Sequence, residues 1–185
     1  MTINLKNFLS SNKKTSKMGD FQELKDIDGL QVSAVSADLY KNGRDDLSLF
    51  YFPQGSNYAV AYTKSSIVSE SITWNRKNAK SNIKALVVNT KNANTFTGEQ
   101  GITSLDEIAK TLTDSLKQIE NENGYDKIKI KEILFSSTGV IGEKFPIEKI
   151  KANISNLVSN LRINKNKLIW LKIASAIMTT DTKPK

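Results

Sequence analysis

The 185-residue chain contains no histidine and no cysteine. These absences exclude a Ser-His-Asp or Cys-His nucleophile pair, thiolate chemistry, a disulfide framework and an ordinary zinc site. We therefore expect no metal site, and any chemistry must rest on hydroxyls, carboxylates, amines or backbone amides.

Long apolar runs are also missing from the sequence. No stretch of about 18 apolar residues occurs, so we predict no membrane-spanning segment. The first residues lack the uninterrupted apolar core and small-residue cleavage site of a secretory signal. We expect a cytoplasmic protein with no membrane partner, made of a polar, lysine-rich segment at 1–28 and a single α/β domain at 29–185.

Arginine is scarce although the chain is basic. Lysine and arginine together number 27 against 19 acidic residues, a net charge of +8, but only Arg44, Arg76 and Arg162 are arginines. Surfaces that read nucleic acids favour the planar arginine fork. The densest lysine runs, at 13–17 and 127–131, are short, and the second alternates with isoleucine as in a half-exposed strand. We expect no nucleic-acid partner.

The pattern of apolar residues predicts a layered α/β sandwich with mixed or antiparallel strands. Short strands are expected in an antiparallel meander at 30–35, 47–52 and 58–63, with Asn42-Gly43 as a turn signal. Continuous apolar runs predict further strands at 85–88, buried on both faces, and at 133–135. Helices are expected at 66–80, 104–123, 146–161 and about 166–176.

Local signals refine these elements. Ser104 and Glu107 form a capping box that predicts the start of the longest helix, and Gly124 predicts its end. Both tryptophans lie in helical context and are expected to anchor the core. No acidic pair has the spacing of a calcium loop or carboxylate dyad, so we expect solvated surface for Asp45, Asp46, Glu70, Asp106 and Glu107.

Three polar segments follow apolar ones and are candidate functional loops. Residues 89–98 are either a turn capped by its own asparagine and threonine side chains or a binding loop. Residues 136–142 are either an ordinary glycine-containing turn or an oxyanion-type site with a threonine hydroxyl and backbone amides. Residues 178–182 predict a strand, either a polar edge or one with a functional face of hydroxyls.

Taken together, these segments resemble a known family. The segments are LVVNTKNANTFTGEQG, SSTGVIGE-x-x-P and AIMTTDT-x-PK, preceded by KNGRDDLSLF. Their order is similar to that in the ornithine acetyltransferases, the bifunctional glutamate N-acetyltransferases of arginine biosynthesis. The resemblance covers about residue 29 to the end. It implies the fold of a self-processing threonine-nucleophile acetyltransferase, which transfers an acetyl group from N-acetylornithine to glutamate. Some members also use acetyl-CoA as a co-substrate, and no other cofactor is implied.

The resemblance also assigns roles to residues. Thr138, through its hydroxyl, and Gly139, through its backbone N–H, would form the oxyanion hole, and Thr179 would contact the substrate. The chain corresponds to most of the family's α half. The nucleophilic threonine would come from a β chain of the same precursor, usually in an α2β2 heterotetramer, so we expect the isolated chain to be inactive. Lys91 stands where the family usually has a small residue.

Two other functions remain open at this point. A non-catalytic binding or scaffold protein could keep the fold without the nucleophile. A related self-processing aminopeptidase would share the nucleophile but act on peptides. The asparagine-rich loop and the MTTDT segment favour the acetyltransferase.

Overall fold

A computed structural model describes residues 27–79, 82–163 and 167–181. The predictions for the polar segment at 1–28, except its last two residues, and for the lysine run at 13–17 lie outside these residues. The described ranges contain five strands, four α-helices and a 3-10 helix at Ile130–Glu132. Their bounds are β1 Gln31–Val35, β2 Leu47–Asn57, α1 Glu70–Asn78, β3 Asn82–Asn89, α2 Gly98–Asn123, β4 Ile133–Ser137, α3 Ile147–Ser159, β5 Arg162–Ile163 and α4 Lys167–Ala176.

The strands form one mixed sheet in the order β4-β3-β2-β1-β5. The pairs β1–β2, β2–β3 and β1–β5 are antiparallel, whereas β3 and β4 are parallel, with Ala85 opposite Ile133 and Asn89 opposite Ser137. The predicted layered α/β fold with mixed strands is confirmed. The carboxyl ends of β3 and β4, and the β1–β2 connection, lie at the same edge of the sheet.

The main core lies between one face of the sheet and helices α1 to α3. Apolar residues of α2 recur at helical spacing, and their side chains pack on alternating residues of β2, β3 and β4. Trp74 of α1 is fully buried as predicted, and its ring meets Phe135 edge-on with centroids 4.9 Å apart. Asn75 receives the Phe135 N–H and donates to its carbonyl, and so covers the outer edge of β4.

The opposite face of the sheet is only partly covered by the described residues. Helix α4 packs there against β1, where Val32 and Ala34 meet Ile173 and Ala176. The outward residues of β3 and β4, among them Leu86, Val88 and Leu134, remain partly exposed. The prediction that residues 85–88 are buried on both faces is therefore wrong for this chain, because no described helix lies over that part. Trp170 of α4 is likewise only partly buried.

Two strand predictions are wrong. Residues 58–63 form no strand, and residues 53–57 belong to β2 rather than to a turn. The pairing of β2 with β3 is irregular between Tyr51 and Ser56, where the proline and glycine lie, and it resumes beyond them. Strand β3 is therefore the third strand of the meander. Residues 127–131 do not form a strand either: the chain runs into the 3-10 helix, with Ile128 buried and the three lysines exposed.

Two helix starts also differ from the prediction. Helix α1 begins at Glu70, after its N-cap Ser69, and α2 begins at Gly98 rather than at Ser104. The Glu70 carboxylate accepts hydrogen bonds from the N–H groups of Thr97 (3.2 Å) and Gly98 (2.8 Å), so a side chain from another element caps α2. Ser104 lies inside the helix, where its hydroxyl donates to the Gln100 carbonyl. The predicted end at Gly124 is confirmed by its φ of 67°.

No helix among the described residues combines the length and apolar character needed to cross a membrane.

Candidate active site

The loops that follow β3 and β4 continue the parallel pairing of these two strands. The first loop comprises residues 90–97 and the second begins at Thr138. Four backbone hydrogen bonds join them, from the N–H of Thr138 to Asn89 O (3.1 Å), Val140 to Lys91 O (2.9 Å), Ala93 to Val140 O (2.9 Å) and Gly142 to Thr95 O (2.9 Å). The asparagine-rich loop and the glycine turn are therefore one structural unit.

Gly139 lies at the tightest point of this unit. Its φ is 139°, and a Cβ built on it would lie 2.2 Å from the Lys91 carbonyl carbon and 2.7 Å from the Asn92 nitrogen. Only glycine fits, because these are backbone atoms that cannot move aside without breaking the loop pairing. Among the described residues, no group accepts a hydrogen bond from the Gly139 N–H or bonds to the Thr138 hydroxyl. Gly139 is exposed and Thr138 is partly exposed, so both donors can reach a ligand.

Three buried asparagines hold the first loop. Asn89 donates to the Asn92 carbonyl (2.9 Å) and accepts from the Ser137 hydroxyl (2.7 Å). Asn92 donates to the carbonyls of residues 143 and 144 and accepts the Asn94 N–H (2.8 Å). The capped-turn interpretation of this segment is confirmed. Positive φ angles at Lys91, Asn94 and Phe96, of 74°, 48° and 59°, show a strained backbone of the kind that concentrates at functional sites.

The C-terminal segment reaches the same edge of the sheet. One nitrogen of the Arg44 guanidinium donates to the carbonyls of Ser175 (3.1 Å) and Met178 (2.6 Å), and the Thr90 hydroxyl donates to the Ala176 carbonyl (3.4 Å). Residues 177–181 are irregular, so the predicted strand is wrong, since hydrogen bonds from side chains replace a ladder there. The part-buried Thr179 follows directly after Met178.

The three site residues predicted from the sequence thus lie around one loop. Thr138 bonds to Asn89, at the start of that loop, and Gly139 contacts Lys91. Thr90 bonds to Ala176, three residues before Thr179. The roles of Thr138, Gly139 and Thr179 in chemistry stay predictions.

Asp46 was missed by the sequence prediction of solvated surface. Its carboxylate is fully buried and accepts hydrogen bonds from the N–H groups of Ala37 (2.7 Å), Leu39 (2.8 Å) and Tyr40 (3.2 Å). Its own carbonyl accepts the Thr90 N–H (2.9 Å). Asp46 therefore links the β1–β2 connection to the first loop. An aspartate placed between a turn signal and an apolar run is a usual position for such backbone capping, and this signal could have identified it.

The neighbouring Asp45 has a different environment. It lies 3.6 Å from Lys172 of α4. Partial burial raises the pKa of the Asp45 carboxyl, and the Lys172 ammonium opposes this shift. The surface prediction is also wrong for Glu70, whose Oε2 is buried, whereas Glu107 stays partly exposed in an ion pair with Lys151.

The turn at 138–139 lies on an open face. Cavities of about 460, 500 and 650 Å³ occur elsewhere among the described residues, and Thr138 and Gly139 line none of these three. Within the described ranges, no cluster of three acidic residues is placed to hold a metal ion.

The ArgJ family model matches residues 31–185. The chain belongs to the ArgJ family. The predicted resemblance, which covered about residue 29 to the end, is therefore confirmed over residues 31–185.

Curated relatives support this membership. The chain is 35% identical over 167 residues to the arginine biosynthesis bifunctional protein ArgJ of Bartonella quintana, covering 90% of this chain and 37% of that protein. It is 36% identical over 164 residues to the ArgJ of Gluconobacter oxydans, covering 88% of this chain and 35% of that protein. The chain thus spans little more than a third of the length of these ArgJ proteins.

Solved structures share the fold of this ArgJ-family chain. The ornithine acetyltransferase of Mycobacterium tuberculosis, crystallised with ornithine, matches with a TM-score of 0.74 and 23% identity over 84% of this chain and 78% of that one. The ArgJ of Bacillus halodurans matches with a TM-score of 0.70 and 21% identity, over 84% and 74% of the two chains. The predicted fold class is confirmed by both.

Proposed function

We propose that this chain supplies the oxyanion hole and part of the substrate site of an enzyme of arginine biosynthesis that transfers an acetyl group from N-acetylornithine to glutamate. The observation that carries the proposal is the pair of unbonded donors at Thr138 and Gly139. They lie in a turn whose backbone is packed against Lys91 and Asn92.

The reaction requires a hydroxyl nucleophile, which we assign to a threonine of a β chain cut from the same precursor. Its oxygen attacks the acetyl carbonyl, and the carbonyl oxygen becomes an oxyanion that accepts hydrogen bonds from Thr138 and Gly139. Collapse breaks the amide bond, the departing amine takes the proton, and ornithine leaves an acetyl ester on the threonine. The amine of glutamate then attacks the ester, which releases N-acetylglutamate and restores the hydroxyl.

The rigidity of the turn supports this role. Donors stabilise a transition state most when they need no reorganisation as charge develops. The Gly139 amide is held between the bonded N–H groups of Thr138 and Val140, which contact Asn89 and Lys91. Thr179 is assigned to substrate contact, because its segment bonds to the same loop through the Ala176 carbonyl and Thr90.

The incomplete cover of the sheet supports a second chain. Leu86, Val88 and Leu134 are apolar yet partly exposed on the described structure. Beside the turn, Ile141 is 58% exposed and Phe96 is 67% exposed. Apolar surface of this kind marks an interface. We assign it to the β chain, in an α2β2 assembly.

The test is Thr138→Val in the assembled enzyme, with Thr138→Ser as the matched control that keeps the hydroxyl. Loss of one oxyanion donor typically lowers kcat by about 10²–10³. We expect Thr138→Val to lower kcat about a hundredfold, with unfolding by urea little changed, and Thr138→Ser to retain most activity. A Thr138→Val enzyme with unchanged turnover would remove Thr138 from the mechanism.

A second measurement tests the need for the β chain. The isolated 185-residue chain is expected to show no acetyl transfer, and robust transfer by it alone would contradict the proposal. The intact mass of every polypeptide in the active preparation should include a second species that begins with threonine.

A further inference from the structure

Two cations lie beside the ring of Tyr40 at the edge of the candidate site. The guanidinium carbon of Arg44 is 4.5 Å from the ring centroid, and the Lys91 ammonium is 6.0 Å from it. Both distances are within the range of cation–π attraction. The ring therefore brings two positive charges close together at this edge.

The two cations differ in how they are bonded. Arg44 donates to the carbonyls of Ser175 and Met178, at the C-terminal end of α4, and is thereby fixed. The Lys91 ammonium has neither a hydrogen bond nor an ion pair among the described residues. It is a half-buried charge with three donors available to an anion.

Lys91 also occupies a special backbone position. Its φ of 74° is in the left-handed region, which costs a non-glycine residue about 1–2 kcal/mol. Its carbonyl accepts the Val140 N–H, and its backbone packs directly on Gly139. On the other side, the adjacent Thr90 hydroxyl bonds to the Ala176 carbonyl. The residue lies between the predicted oxyanion turn and the segment that carries Thr179.

We propose that the Lys91 ammonium binds the carboxylate of the amino-acid substrate, an inference that rests on the proposed function. Both N-acetylornithine and glutamate carry an α-carboxylate. A carboxylate bound here would pair with Lys91 and lie in the positive field of Arg44. The Tyr40 ring limits the positions open to both cations. The substrate would then be held by its carboxylate while its acetyl group, or its amine, lies at the turn.

The experiment compares N-acetylornithine with N-acetylputrescine, which lacks only the carboxylate, in the assembled enzyme. Lys91→Met should raise KM for N-acetylornithine about ten- to a hundredfold, the usual range for a lost hydrogen bond to a charged group. In Lys91→Met we expect kcat to change less than threefold and KM for N-acetylputrescine to stay the same. We expect Lys91→Arg to restore part of the affinity for N-acetylornithine. The matched control is Lys131→Met, an exposed lysine at the opposite edge of the sheet.

Lys91→Gly separates binding from folding. Glycine adopts a φ of 74° without strain, so this variant should melt no lower than the wild type while it shows the same rise in KM. An unchanged KM for N-acetylornithine in Lys91→Met, or an equal rise for N-acetylputrescine, overturns the assignment.

Calorimetric titration keeps this test separate from the proposed function. If the assembled wild type binds N-acetylornithine without turning it over, the proposed function fails. The carboxylate site is still tested in that case, by comparing the Kd values of the wild type and Lys91→Met. Equal Kd values, or no binding by the wild type, overturn the carboxylate site.

Discussion

Lys91 and Gly139 touch through their backbones, with a spacing that leaves no room for a side chain on Gly139. A Cβ at this position would lie 2.2 Å from the carbonyl carbon of Lys91 and 2.3 Å from its oxygen. The contact joins the asparagine-rich loop after β3 to the turn after β4. The position of the proposed oxyanion donors therefore depends on both loops.

Gly139→Ala should accordingly destabilise the protein. The added methyl meets backbone atoms, and alanine at a φ of 139° is strained, so we expect a loss of about 2–4 kcal/mol in the free energy of unfolding by urea. The matched control is Gly142→Ala, where φ is 81° and no atom lies within 4 Å of the built Cβ. Only strain of about 1 kcal/mol is expected there. Equal losses in the two variants would show that the close contact is not the cause.

Arg44 should hold the segment that contains Thr179. Arg44→Ala leaves the Ser175 and Met178 carbonyls without a charged hydrogen-bond partner. For partly exposed groups, the loss of these bonds lowers the local stability of the segment by about 1–2 kcal/mol. We expect amide hydrogen exchange at Ile177 and Met178 to accelerate about tenfold. Arg76→Ala is the control, since Arg76 stacks on Tyr62 away from this segment. Unchanged exchange in Arg44→Ala would show that α4 alone positions the segment.

Glu70 should stabilise the start of α2 from outside the helix. Glu70→Ala removes the acceptor of two N-terminal N–H groups, with an expected loss of about 1–2 kcal/mol in the free energy of unfolding. Glu99→Ala, in the exposed first turn of α2, should cost less than about 0.5 kcal/mol. Urea unfolding of both variants tests this cap, and a larger effect at Glu99 would contradict it.

Asp45 should make the protein less stable as the pH rises. Burial raises the pKa of its carboxyl above the ordinary value of 3.8. As the pH rises, the unfolded chain therefore releases this proton before the folded chain does. The free energy of unfolding of the wild type, relative to Asp45→Asn, should therefore fall as the pH increases from 3 to 6. Lys172→Met should steepen this dependence, because Lys172 lowers the pKa of Asp45. A dependence of the opposite sign would contradict the assignment.

Short-range patterns predicted the parts of the fold that depend on local periodicity. Helix α3, with its apolar positions at helical spacing after Pro146, and the end of α2 at Gly124 follow from residues within a few positions of one another. The prediction of where α2 starts was wrong because the capping residue, Glu70, lies 28 residues away along the chain. Likewise, the surface prediction for Asp46 failed because its carboxylate binds N–H groups six to nine residues earlier in the chain.

By itself, the sequence determined the class of chemistry and the family. The absence of histidine and cysteine restricts the chain to chemistry by hydroxyls, carboxylates, amines or backbone amides. The order of three polar segments indicated the family before the fold was known. Only the tertiary structure decided that these segments meet. They are separated by about forty residues each, and the parallel pairing of β3 with β4 brings the first two together. Long-range hydrogen bonds from Arg44 and Thr90 then add the third, because no local propensity of residues 177–181 would hold it there.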